Sequence, residues 1–121
     1  FFGAANFNVD ISDWDVSRVS TMNGMFYGAA NFNRDISAWD VSRVQNMGAM
    51  FHSSYSFNKD ISDWDVSSVR VMSAMFVDAA SFNQDLCPWG SKLSNIEDLD
   101  AAFQGSACPI TCNPVKGERY S

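Results

Sequence analysis

The segment Ile11-Ser12-Asp13-Trp14-Asp15-Val16-Ser17 returns unchanged at residues 61–67, and at residues 36–42 with Ala38 as its one substitution. The surrounding chain keeps the same step. Trp14, Trp39, Trp64 and Trp89 fall 25 residues apart, as do Asp10, Asp35, Asp60 and Asp85. Phe-Asn pairs begin at Phe7, Phe32, Phe57 and Phe82, and Met-Phe pairs at Met25, Met50 and Met75. A fixed period of this length marks an array of units, each of which buries its apolar edge only against its neighbours.

Two spacings share each unit. Ile11, Trp14 and Val16 end in the alternation of a short strand. Val19, Met22, Met25, Phe26 and Ala29 follow at threes and fours, as on one face of a short helix, with Ser20 or Thr21 as its N-cap. The expected fold is therefore an α/β repeat solenoid, with short parallel strands alternating with short helices in about four coils, and then a C-terminal cap. Residues 1–107 form the repeats and residues 108–121 the cysteine-containing cap and tail. The segment Phe1-Phe2-Gly3-Ala4-Ala5 aligns with Phe26-Tyr27-Gly28-Ala29-Ala30, so the sequence opens in mid-repeat. Phe1 and Phe2 are expected to be sandwiched between coils. Upstream repeats of the same chain, or another subunit, would then cover the N-terminal coil.

Residues 32–51 carry the full phrase, Phe-Asn-x-Asp-Ile-Ser-x-Trp-Asp-Val-Ser-x-Val-x-x-Met-x-x-Met-Phe. In this phrase the chain resembles the BspA-like branch of the leucine-rich repeats, closely to about residue 86 and loosely to about 107. The resemblance implies a right-handed repeat spiral, a place in a surface or secreted protein, an association with adhesion, and no enzymatic activity. It implies a protein partner and no cofactor.

Composition narrows the remaining classes. The formal net charge is −6, so the basic footprint of a nucleic-acid binder is missing. No uninterrupted apolar stretch reaches the roughly 18 residues of a membrane-crossing helix, so the chain is not expected to span a bilayer. A content of 46% apolar and 14% aromatic residues supplies a continuous core and argues against disorder. His52 is the only histidine, and without a second one no general-base constellation forms around Ser or Cys.

Repetition also separates scaffold from surface. The Asn8 row survives in all four copies and is expected to form an amide ladder that bonds loop backbone groups at the turn. The Asp10 row is expected to make Asx turns. Asp15, Asp40 and Asp65 point away from the core beside Asp13, Ala38 and Asp63. Stacked like charges repel by roughly 1 kcal/mol per pair in water, so these carboxylates need compensation. Hydrogen bonds to Ser17, Ser42 and Ser67, or pairing with Arg18 and Arg43, would supply it. The other reading is an acidic strip that meets a basic partner or weakly holds cations. Asp13, Asp15, Asp40, Asp63, Asp65, Arg18 and Arg43 are therefore the partner-binding candidates, and Phe1 and Phe2 are the end-face contacts. A Gly-containing, oxygen-rich cation loop is absent from the Asp run, so no metal site is expected.

Past Leu86 the repeat decays. Cysteine, missing from the regular coils, occurs at Cys87, Cys108 and Cys112. Cys87 and Cys112 stand one period apart and are the candidate disulfide, with Cys87–Cys108 as the alternative. A disulfide implies an oxidising compartment, either extracellular or cell-surface, with an organelle lumen as the alternative. These readings converge on a non-enzymatic protein-interaction or adhesion module. The alternative is a structural accessory subunit docked on a larger assembly.

Overall fold

The computed structural model describes residues 1–104, 111–113 and 118–120, the last two segments by their backbone alone. Successive repeats lie on top of one another as coils, but the coils are built from turns. Among the described residues the regular elements are one 3₁₀ turn, Cys87–Trp89, and two short strands, β1 (Thr111–Asn113) and β2 (Glu118–Tyr120). The two strands pair antiparallel, with Cys112 opposite Arg119, and β1 lies against the 3₁₀ turn. The α/β repeat solenoid expected from the spacing is overturned. No helix alternates with a strand, and the parallel sheet shrinks to one column of isolated bridges through Thr21, Asn46, Val71 and Asp98.

The reason lies in where the backbone N–H groups go. In the segment read as a helix, Met25, Tyr27 and Ala29 donate three residues back, to Met22, Gly24 and Phe26. The N–H groups between them leave the coil. Met22, Gly24, Phe26 and Gly28 donate to Asn46, Gly48, Met50 and His52 of the next coil, at 2.8–2.9 Å. This alternation recurs from the coil of Met47 to that of Met72, and from there to Asp98. An α-helix sends every N–H four residues back, so this pattern excludes one.

Backbone dihedrals enforce the same outcome. Two left-handed residues stand four apart in each coil: Gly24 and Gly28, Ala49 and Ser53, Ala74 and Asp78. Each occupies the third position of a turn, where a type II geometry demands positive φ. Glycine takes that conformation without penalty at Gly24 (φ 65°) and Gly28 (φ 71°). Ala49 (φ 53°) and Ala74 (φ 56°) adopt it against the steric preference of an L-residue.

The segment read as a strand is also two turns. Trp14 donates to Ile11 and Val19 to Val16, and Asp10 and Asp15 close the preceding bends by accepting the N–H groups of Ser12 and Ser17. The Asp-x-Ser spacing makes these Asx turns, which compete with an extended ladder.

Between the turns runs a dry interior. Phe26, Phe51, Phe76 and Phe103 stack at 5.5 Å per coil, and Phe7, Phe32, Phe57 and Phe82 at 5.6–6.0 Å. The two columns touch at 4.1–4.2 Å between ring centroids within the coils of Phe26, Phe51 and Phe76. Such stacked pairs add roughly 0.5–1.5 kcal/mol each beyond the area they bury. The methionine rows fill the remaining interior, with Met25 partly exposed and the other five buried. Ser54 replaces the buried Ala29 and Ala79 and satisfies its hydroxyl by donating to the Phe26 carbonyl at 2.6 Å.

Each interior tryptophan ties two coils together. The indole Nε1 groups of Trp39, Trp64 and Trp89 donate to the carbonyls of Ile11, Ile36 and Ile61 at 3.0–3.1 Å. Trp14 has no such partner among the described residues and is 48% exposed.

Two outcomes follow for stability. Trp64→Phe removes a buried donor from the Ile36 carbonyl and should cost about 1–3 kcal/mol in urea unfolding. Trp14→Phe should stay within about 0.5 kcal/mol. Ala49→Gly and Ala74→Gly should each stabilise by roughly 0.5–1 kcal/mol, the reverse of the usual effect, because relief at positive φ exceeds the entropy cost of glycine. Equilibrium denaturation of the variants checks both.

Candidate functional site

The exposed flank repeats once per coil. Asn33, Asn58 and Asn83 donate their backbone N–H groups to the side-chain Oδ1 of Asn8, Asn33 and Asn58 at 2.8–3.0 Å. This is the expected amide ladder. Next to it stand the Asx turns of Asp10, Asp35, Asp60 and Asp85, whose Oδ1 atoms accept from the N–H groups of Ser12, Ser37, Ser62 and Cys87. The Asp15, Asp40 and Asp65 row lies further along, exposed, with each carboxylate accepting from the backbone N–H of Ser17, Ser42 or Ser67. The hydroxyls of Ser17 and Ser42 add bonds of 2.6 Å.

These bonds set the electrostatics. Asp15, Asp40 and Asp65 are held below the ordinary carboxylate range first by the serine hydroxyl and then by the serine N–H. Arg43 lowers Asp40 further and Lys92 lowers Asp65, while the Asp one coil below opposes each of them. Asp10 and Asp35 are lowered first by the N–H groups of Ser12 and Ser37, then by those side chains, with smaller contributions from Arg34 and Lys59.

Arg34 and Lys59 are the residues that sequence reasoning missed. They share one repeat position with Val9 and Gln84, and that variability was their only signal. Arg34 donates its Nε to the Asn8 carbonyl at 3.0 Å, reaching back one coil. Asn8, Asp10, Asn33, Arg34, Asp35 and Lys59 line an open groove of about 510 Å³ in which both signs of charge alternate. Lys92 was missed as well. It lies in the irregular last coil and donates its Nζ to the Trp64 carbonyl at 3.3 Å.

The sequence-derived candidates divide. Asp15, Asp40 and Asp65 form a continuous row with Arg43 beside Asp40. Asp13, Asp63, Arg18 and Arg43 are all exposed, and Ala38 interrupts the Asp13 row. Phe1 packs its ring on Phe7 at 3.9 Å and on Phe26 at 5.8 Å, in the interior column. Phe2 stacks on Tyr27, which in turn stacks on His52 of the next coil. Cys108 and the side chain of Cys112 lie outside the described residues, and so do both candidate disulfide pairings. Among the described residues no cluster of three His, Cys, Asp or Glu side chains is disposed to hold a metal ion. None of their helices is long and apolar enough to cross a membrane.

A stack of turn-built coils with a repeated polar flank defines a repeat protein. The chain belongs to the family described as Mycoplasma protein of unknown function, DUF285, whose model matches residues 1–110. No curated protein and no solved structure matches it.

The lowered carboxyls predict an acid limit. Groups with a depressed folded-state pKa contribute stability above their ordinary value of 3.8 and lose it as pH falls through the lower folded value. The thermal midpoint should therefore drop below about pH 4. The triple change Asp15→Asn, Asp40→Asn and Asp65→Asn keeps an acceptor oxygen and should flatten that drop without loss of fold. Midpoints measured from pH 7 to pH 2.5 test this.

Proposed function

We propose that this chain is a non-enzymatic protein-interaction or adhesion module of a surface or secreted protein. Its partner meets the polar flank. The reading rests above all on one observation: the same charged and amide groups recur coil after coil along one side, while neighbouring exposed positions vary. Repeat arrays use such extended surfaces to engage other macromolecules. The groove between Arg34, Asp35 and Lys59 and the Asp15 row together offer a partner alternating charge with a basic preference.

Similarity to the BspA-like surface proteins, carried by residues 32–51, supports the same assignment and an extracellular or cell-surface location. A disulfide between Cys87 and Cys112, or between Cys87 and Cys108, belongs to this reading. β1, which holds Cys112, lies against the turn that holds Cys87. In an oxidising compartment such a bridge would pin the end of the stack.

The alternative reading is an accessory subunit docked on a larger assembly. The purified chain distinguishes the two. If the module reading holds, the chain remains monomeric and soluble, and its capture by a basic protein surface weakens at least tenfold in the Asp15→Asn, Asp40→Asn, Asp65→Asn variant. Unchanged capture by the triple variant would reduce the acidic row to a solvated face.

A further inference from the structure

Asn23 and Gly24 form the only Asn-Gly pair in the sequence, and Gly48-Ala49 and Ser73-Ala74 stand at the same place in the next two coils. Glycine serves there because the turn needs positive φ, which Gly24 takes at 65°. The same lack of a Cβ leaves an Asn-Gly pair open to attack by its own backbone. The Gly24 nitrogen gives up its proton and bonds to the Asn23 side-chain carbon Cγ. The Cγ–Nδ2 bond then breaks and the amide nitrogen departs as ammonia, leaving a cyclic imide. Water opens the imide at one carbonyl or the other, to aspartate or to isoaspartate. Isoaspartate routes the main chain through the former side chain and lengthens it by one methylene.

Stacking blocks the first step twice. Gly24 is buried and donates its N–H to the Gly48 carbonyl at 2.9 Å, between the bonds from Met22 to Asn46 at 2.8 Å and from Phe26 to Met50 at 2.9 Å. A base cannot take that proton, and the nitrogen cannot turn toward the Asn23 side chain, without breaking this rung. The Asn23 amide is held as well. Its Nδ2 donates to Asn46 Oδ1 at 3.3 Å, and the same oxygen accepts the Gly48 N–H at 2.8 Å. These partners all lie on the following coil, so the restraint holds whatever precedes Phe1.

We propose that Asn23-Gly24 is a spontaneous deamidation site gated by coil stacking, closed while the coil of Met22 lies on that of Met47 and reactive in any chain where the two have parted. The modification is then one-way. The added methylene displaces the Gly24 and Phe26 N–H groups from the Gly48 and Met50 carbonyls, so a chain that has lost its stacking is marked and cannot restack in register. The site is independent of the partner assigned to the flank.

The test keeps the full chain at neutral pH across a series of guanidinium chloride concentrations. Peptide mapping by mass spectrometry follows asparagine, aspartate and isoaspartate at position 23. The rate should track the unfolded fraction and be at least about tenfold lower in buffer than in the unfolded chain. The Gly24 amide should be protected from hydrogen exchange in buffer. Asn46→Ala, which removes the shared acceptor, should raise the rate in buffer several-fold with the fold retained. Should that variant fail to fold, the denaturant series on the unaltered chain decides alone. Chains carrying isoaspartate at this position, returned to buffer, should melt about 4 °C or more below unmodified ones. Deamidation in buffer at the rate of the unfolded chain would overturn the gate, and an isoaspartate form with an unchanged midpoint would overturn its one-way character.

Discussion

A coil of this protein cannot satisfy its own backbone. From Met22 to Gly28 every second N–H is used in a turn, and the ones between find acceptors only on the coil above. The side chains follow the same rule, with each buried indole bonding one coil down and each Asn side chain accepting from one coil up. Unpaired backbone groups in a dry interior are costly, so one coil alone has no stable form. The stack is therefore the smallest cooperative unit, and nearest-neighbour contacts carry its stability.

That constraint explains the repetition of the flank. Asx turns at Asp10 and Asp15 bend the chain where an extended strand would carry it past the stack. The carboxylates have to recur in every coil because every coil has to bend. Once recurrent, they stack as like charges, and their cost is offset locally by serine hydroxyls and N–H groups and by Arg34, Lys59, Arg43 and Lys92. The same residues thus serve the architecture and supply the surface that a partner meets. Positions that vary, such as Val9, Arg34, Lys59 and Gln84, are free to tune that surface without disturbing a turn.

The coil of Trp89 departs from the regular pattern. Gly90 stands where the other coils have the Asp of the acidic row, and two added residues precede Ile96. Lys92 and Asn95 now place side-chain donors on the carbonyls of Trp64 and Ser67, at 3.3 and 2.9 Å.

The 25-residue period, the dry column of aromatic residues, the Asn ladder and the Asx turns were all legible in the sequence, because each rests on residue identity at a fixed spacing. So was the exposed Asp15 row. Secondary structure was not. Apolar residues at threes and fours serve an α-helix and a run of tight turns equally well, and the two differ only in whether alternate N–H groups bond within the coil or between coils. That choice depends on the neighbour's distance and on positive φ at alanine and serine positions such as Ala49 and Ser53, which no local preference announces. Arg34 and Lys59 were hidden for a related reason: their partners, Asn8 and Asp35, lie about one period away along the chain and come within reach only when the coils stack.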